Sequence, residues 1–286
     1  MKSMKRWSMI TDNAHIRRGW DQHLRRYHDL RGVGFARLGK NYNKWLYRAK
    51  KRVLLRLIRS LNLDISSTEV VDVGSGVGFY VDLWIRMGVR SVTGIDIAPF
   101  AVELLRRRFS DCTFLEMDIS DKHKIRGAYE RGADVVTAID VLYHILDDER
   151  YEQAFYNIAQ FIRPGRYFIF SENFISGPAL RQASEVFRPK EYIYRLLQAN
   201  NFEILSRVPL LFWGNVPADR NSSIFNVWWK VWSRLVERGE IWGYILGMLL
   251  FPIEIISTRV FRESPTTEIV IARKSTNINT KGGFVC

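Results

Sequence analysis

A chain of 286 residues with 47% hydrophobic content can bury a large core, and its length suits one domain of roughly 200 residues with extensions. The two cysteines, Cys112 and Cys286, lie far apart and no CxxC or Cys/His cluster accompanies them, which argues against a zinc site and leaves a reducing compartment and no metal as the expectation. The formal charge of +13 is concentrated, because residues 1–60 hold seventeen Lys/Arg against three acids.

The first segment, residues 1–43, is therefore a basic arm suited to a phosphate-bearing partner: anionic lipid, nucleic acid or a phosphorylated substrate. A solvated helix face is the alternative, and His15, His23 and His28 in the arm read as surface residues. The opening MKSMKRWSMITDNAHIRRGW has no apolar core long enough for a secretory signal, so a cytoplasmic protein is expected, with the inner membrane face as a place of peripheral contact. A helix is predicted over Asn43–Leu61, with Leu46, Val53, Leu54, Leu57, Ile58 and Leu61 as its apolar stripe.

Strand-type and helix-type segments then alternate. Strands are predicted at Glu69–Val73, Ser91–Ile95, Thr113–Met117, Asp134–Ile139 and Tyr167–Ser171, and helices at Gly78–Met87, Pro99–Phe109, His123–Arg131 and Asp148–Ile162. A helix over Arg188–Asn200, a strand over Phe202–Phe212 and a late strand over Thr267–Arg273 follow. This order predicts right-handed βαβ units and a mostly parallel sheet with helices on both faces. The main domain is expected to span 44–212 and 265–274, with a helical insert at 213–264 and a flexible tail at 275–286.

The first strand, VVDVGSGVGFY, runs into three glycines, Gly74, Gly76 and Gly78, and then a helix. Ligands of open α/β sheets bind at the carboxyl ends of strands near the switch point, so this turn points at the site. A nicotinamide fingerprint needs a small residue at the third place of GxGxxG, and Phe79 stands there. The pattern is DxGxGxG instead, and Asp72 would repel a pyrophosphate while helping to receive an ammonium group.

In this pattern the chain resembles the class I S-adenosylmethionine-dependent methyltransferases over roughly residues 44–210 plus the last strand. The resemblance implies a Rossmann-like, mostly parallel seven-stranded sheet whose last strand is antiparallel, and S-adenosylmethionine as methyl donor. It places Asp72, Gly74, Ser75, Gly76 and Gly78 at the cofactor turn. Asp96 of GIDIA, followed by Ile97, would take the two ribose hydroxyls, since two carboxylate oxygens match two neighbouring donors. Asp118 and Ile119 of FLEMDIS would contact the adenine, and Asp140, Val141 and His144 of AIDVLYHILDD would face cofactor and substrate. Arg48, beside Tyr42 and Tyr47, would meet the cofactor carboxylate.

Methyl transfer from a sulfonium needs alignment and water exclusion more than covalent catalysis. A hydroxyl acceptor also needs a base, and His144 is the candidate, with a packing role as its alternative. Asp140 suits the cofactor's amino-acid end better than the role of base. The insert carries Trp213, Trp228, Trp229, Trp232 and Trp242 and an uncharged run from Ile241 to Ile253, too short to span a bilayer. It reads as a buried lid helix or as an interfacial helix flanked by Lys230, Arg234, Arg238, Arg259 and Arg262. O-methylation of a small-molecule, saccharide or lipid-linked acceptor is the expected activity. Nucleic-acid methylation is the enzymatic rival, lacking an Asn-Pro-Pro-aromatic tetrad after the fourth strand, and a non-catalytic binding or scaffold protein is the rival of another class.

Overall fold

The computed structural model describes residues 13–122, 132–218 and 223–276. In chain order its elements are α1 (Asn13–Arg26), α2 (Gly39–Ile58), β1 (Glu69–Val73), α3 (Phe79–Met87), β2 (Ser91–Asp96), α4 (Pro99–Arg108), β3 (Thr113–Glu116) and β4 (Ala133–Ala138). There follow α5 (Asp148–Phe161), β5 (Ile162–Glu172), the short hairpin β6 (Leu180–Arg181) and β7 (Val186–Phe187), α6 (Lys190–Ala199), β8 (Phe202–Leu211), α7 (Ser223–Val236), α8 (Glu240–Val260) and β9 (Thr267–Lys274). The helix expected over His123–Arg131 lies outside the described residues.

Seven strands form one sheet in the order β3-β2-β1-β4-β5-β9-β8, parallel except for β9. The chain reverses its direction of winding between β1 and β4, which makes their carboxyl ends the switch point. Period-two alternation splits the core in two. Phe168 and Phe170 of β5 face α5 and α6, while Tyr167 and Ile169 face the side where Leu54 and Ile58 of α2 meet Trp84 of α3.

Two helices begin without a side-chain cap of their own and are capped from a distance. Leu38, before α2, offers none, and Glu240 of α8 accepts the N–H groups of Lys40 (2.7 Å) and Asn41 (2.8 Å). Ala98, before α4, offers none either, and Asp21 of α1 accepts the Phe100 N–H at 2.7 Å. A carboxylate at a helix N-terminus satisfies orphan donors and opposes the positive end of the helix dipole. These caps fasten α1 and α8 to the domain.

The sequence reading needs correction at α8. The helix does not stop with the uncharged run at Ile253 but continues through Pro252 and Glu254 to Val260. Glu254 does not break it because the carboxylate turns inward, accepting the backbone N–H groups of Phe212, Trp213 (3.0 Å) and Gly214 (3.1 Å). Gly247 faces α2 so closely that a Cβ there would come within 2.7 Å of Trp45, so the two helices pack backbone to side chain. At 21 residues α8 is long enough to cross a membrane by length, yet Gly243, Gly247, Leu250, Glu254 and Ser257 are buried against the domain.

Candidate functional site

The glycine turn is built by the strand end beneath it. Gly74 and Ser75 both donate to the Ile95 carbonyl, at 2.7 and 3.1 Å, which folds the chain back across the end of β2. Gly74 has φ +72°, and a Cβ there would fall 2.3 Å from Val141, so a side chain is excluded on both counts. Gly78, in the left-handed conformation, is the residue from which α3 starts.

Above this turn lies a cavity of about 160 Å³, room for on the order of ten waters and so of ligand size. Gly74, Ser75, Gly76, Asp96, Ile97, Asp118, Ile119, Asp140, Val141 and His144 all line it. Asp72, Gly78 and Arg48 do not. Asp72 lies at the end of β1, Gly78 packs under Leu105 of α4, and Arg48 is exposed on α2 with its guanidinium over Trp45 at 4.6 Å. Arg48 as a cavity residue is thereby corrected: its place on α2 turns it about 100° away from Tyr47, which does line the cavity.

Each acid in the site has a definite set of donors. Asp96 Oδ2 accepts from Gly76 N and Oδ1 from Ala98 N, both at 2.8 Å, and burial pushes its carboxyl above the usual range. The second lone pair of each oxygen stays available for a neighbouring diol. Asp118 accepts from Ser120 N at 2.8 Å and from Arg150 Nη2 at 2.9 Å. Asp72, paired in register with Thr137 of β4, accepts that hydroxyl at 2.5 Å. Burial, reinforced by the charge of Asp96 and opposed by the Thr137 hydroxyl, raises the Asp72 carboxyl to about 7.

Lys50, which the sequence reading missed, enters the site from α2 and pairs with Asp140 Oδ2 at 2.5 Å, their side chains only 5% and 9% exposed. Asp140 itself has φ +61°, a strained conformation costing on the order of 1–3 kcal/mol for a residue with a side chain, and its N–H is held by Ser171 Oγ at 2.8 Å. The carboxylate is thus tied by an internal ammonium. Only the lack of a Lys50–Asp140 spacing in the sequence hid the pair, since 90 residues separate its members.

His144 is oriented by the β6–β7 hairpin: Nδ1 lies 2.8 Å from the Ser184 carbonyl, which can only accept. The proton is therefore assigned to Nδ1, and in the neutral ring Nε2 is left with its lone pair. Trp20 of α1 meets the same ring edge-on at 4.9 Å. Ile16, Trp20 and Leu24 bring α1 over the cavity, where Leu24 packs with Val77, Ala98 and Ala101. His23 is a further correction: it is half-buried between Trp20 and Tyr27, and burial lowers its ring below the usual histidine value.

Among the described residues two buried polar atoms in this region have no hydrogen-bond partner: the hydroxyl of Tyr80, a cavity-lining residue, and Oδ2 of Asp72, which lies behind the wall at the end of β1. An amino-acid group brings both a carboxylate acceptor and an ammonium donor, which is the complement of that pair. With the diol-sized acceptor pair of Asp96, the residues present fit S-adenosylmethionine.

Residues 70–165 match the model of a methyltransferase domain. The fold is similar to that of a magnesium protoporphyrin IX methyltransferase from Synechocystis PCC 6803 with bound SAM (15% identity, 94% of this chain and 99% of that one, TM-score 0.56). It is similar also to the N-methyltransferase NodS of Bradyrhizobium japonicum WM9 in complex with S-adenosylhomocysteine (14%, 92% and 99%, TM-score 0.53) and to a SAM-dependent methyltransferase of Leishmania major (11%, 92% and 82%, TM-score 0.59). A comparison with curated proteins finds no match. Residues 70–165 are thus a methyltransferase domain, carried on the fold of S-adenosylmethionine-dependent methyltransferases, and the cavity's residues fit S-adenosylmethionine as the methyl donor.

Proposed function

We propose that this chain is a cytoplasmic enzyme that moves the methyl group of S-adenosylmethionine to an oxygen of a small-molecule, saccharide or lipid-linked acceptor. The observation that carries the choice of oxygen is His144, whose Nδ1–H is fixed on Ser184 O so that Nε2 is the ring's proton acceptor at the cavity wall. Bound S-adenosylmethionine supplies an electrophilic methyl group on a sulfonium. The chain's own part is to hold and to shield. Asp96 takes the ribose diol, Tyr80 meets the amino-acid end, the Asp72 carboxylate behind the cavity wall attracts its ammonium, and Gly74 and Gly76 let the backbone come close. Ile16, Trp20 and Leu24 keep water away, and His144 Nε2 receives the acceptor's hydroxyl proton.

The basic arm offers nucleic acid less than its sequence suggests. Arg17 pairs with Glu116, Arg25 with Asp21 and Arg31 with Asp29. The test is label transfer from methyl-labelled S-adenosylmethionine into lipid, saccharide, small-molecule and RNA fractions of a cell extract, by the wild type and by His144→Ala. The variant is expected to retain cofactor affinity and to lose about a hundredfold in turnover, the usual contribution of a positioned base. Full turnover in the variant contradicts the assignment, and label in the RNA fraction contradicts the acceptor class.

A further inference from the structure

The face made by α2, α7 and α8 takes no part in the cavity. Ile241, Ile245, Leu249, Ile253, Ile256 and Val260 run the length of α8 with 38–75% of their surface exposed. α7, packed beside α8, adds exposed Ile224, Val227 and Val231. Contiguous apolar surface of this kind marks an interaction site, because water charges roughly 25 cal/mol for each Å² left wet.

Cations stand next to this ridge. α2 carries Lys40, Lys44, Arg48, Arg52 and Arg56 at four-residue intervals and has no acid. The Arg52 guanidinium lies over Phe251 of α8 at 5.5 Å, and that of Arg48 over Trp45, which itself meets Tyr244 and Phe251. The charged stripe therefore borders the apolar one directly. Both acids of α8 are spent inward, Glu240 on the first turn of α2 and Glu254 on the 212–214 amides.

At the C-terminal end of α8 an open groove is lined by Arg56, Arg259 and Arg262 beside Val260 and Phe261, and by Arg207 and Glu263, which pair with each other. Among the described residues none of Arg56, Arg259 and Arg262 has an acidic partner in a salt bridge, and Arg56 is lowered by burial and by the charge of Arg259. Three guanidiniums without an acidic partner, converging on one groove, attract an anion.

We propose that this face seats the protein on an anionic lipid bilayer, with α8 in the plane of the interface, its exposed isoleucines and Leu249 among the acyl chains and the α2 and groove cations on lipid phosphates. A second copy of the chain would set two cationic rows against each other, whereas an anionic bilayer offers acyl chains and phosphates side by side. Trp45 and Trp242 at the border match the headgroup depth that tryptophan favours. α8 lies on the bilayer and does not cross it, because its other side is fixed to α2 and to the 212–214 loop. The inference goes beyond methyl transfer and is read without turnover.

The experiment is flotation of the full chain with vesicles of phosphatidylcholine alone and of phosphatidylcholine with about a third phosphatidylserine, at low and high salt, alongside sedimentation equilibrium without lipid. Wild type is expected to float with the anionic vesicles, salt-sensitively. Lys44→Glu/Arg48→Glu/Arg52→Glu should weaken partition by roughly a hundredfold, at about 1 kcal/mol per cation lost. Leu249→Ser/Ile253→Ser should weaken it as well while leaving the charges in place. All five substituted charge and apolar sites are exposed, so thermal melts by circular dichroism should stay near wild type and certify the fold. No flotation with anionic vesicles at low salt overturns the proposal, as does flotation indifferent to the charge reversal. A dimer abolished by Leu249→Ser/Ile253→Ser, without flotation, gives the face to a second copy and overturns it too.

Discussion

Asp96 and Glu254 are both buried carboxylates that accept backbone N–H groups, and they end in opposite situations. Asp96 takes one amide on each oxygen and still lines the cavity. Glu254 spreads its oxygens over three successive amides of the 212–214 loop and does not line the cavity over the glycine turn. Burial raises both, Glu254 to about 7. The difference lies in what remains unspent: around Asp96 sit the unpartnered Asp72 Oδ2 and Tyr80 hydroxyl, while the Glu254 oxygens are absorbed in pinning α8 to the domain. A buried acid in this molecule marks a ligand site only where its neighbours are left incomplete.

The largest expected effect comes from the internal pair at the same switch point. Lys50→Ala leaves Asp140 buried without its ammonium and should cost about 3–5 kcal/mol in urea unfolding. Lys50→Met with Asp140→Asn should recover most of it, and a single variant as stable as wild type would show that the pair does not hold the strained Asp140 turn. Next, Asp96→Ala should lower affinity for S-adenosylhomocysteine by about 1.5–3 kcal/mol, as loss of a charged hydrogen-bond partner does. Glu254→Gln should cost about 1–3 kcal/mol of stability through the loop amides and leave that affinity alone. Equal effects of both substitutions on binding would dissolve the contrast.

Much of the sheet was legible because its strands are short apolar runs between helices of clear period, and the glycine turn because backbone approach demands those residues. The rest depends on distance in the chain. Lys50 and Asp140, Ser184 and His144, Asp21 and the start of α4 each join elements that no local pattern connects. α8 was read too short because Glu254 resembles a surface acid until its three amide donors are seen. The resemblance puts Arg48 at the cofactor carboxylate, yet the α2 turn that brings Tyr47 to the cavity carries Arg48 about 100° away from it.

A graded effect of pH accompanies these substitutions. Asp72 is raised in the folded chain, so the native state binds a proton that the unfolded chain releases in the ordinary carboxylate range. Between that range and about 7 the group therefore makes stability fall as pH rises. An ammonium ligand needs the ionised form, so affinity for S-adenosylhomocysteine should drop about tenfold per pH unit below about 7. Asp72→Asn should flatten that profile, and calorimetric titrations from pH 5.5 to 7.5 read it directly. A wild-type profile already flat over this range would remove Asp72 from the binding of the amino-acid end.

The central claim is that the cavity over the Gly74–Gly78 turn holds S-adenosylmethionine. Calorimetric titration of the full chain with S-adenosylmethionine and S-adenosylhomocysteine, with NADH as control and Asp96→Ala alongside, tests it most directly. Micromolar binding of the first two, none of NADH and loss in the variant is the predicted result. Binding of neither, or binding untouched by Asp96→Ala, would contradict it.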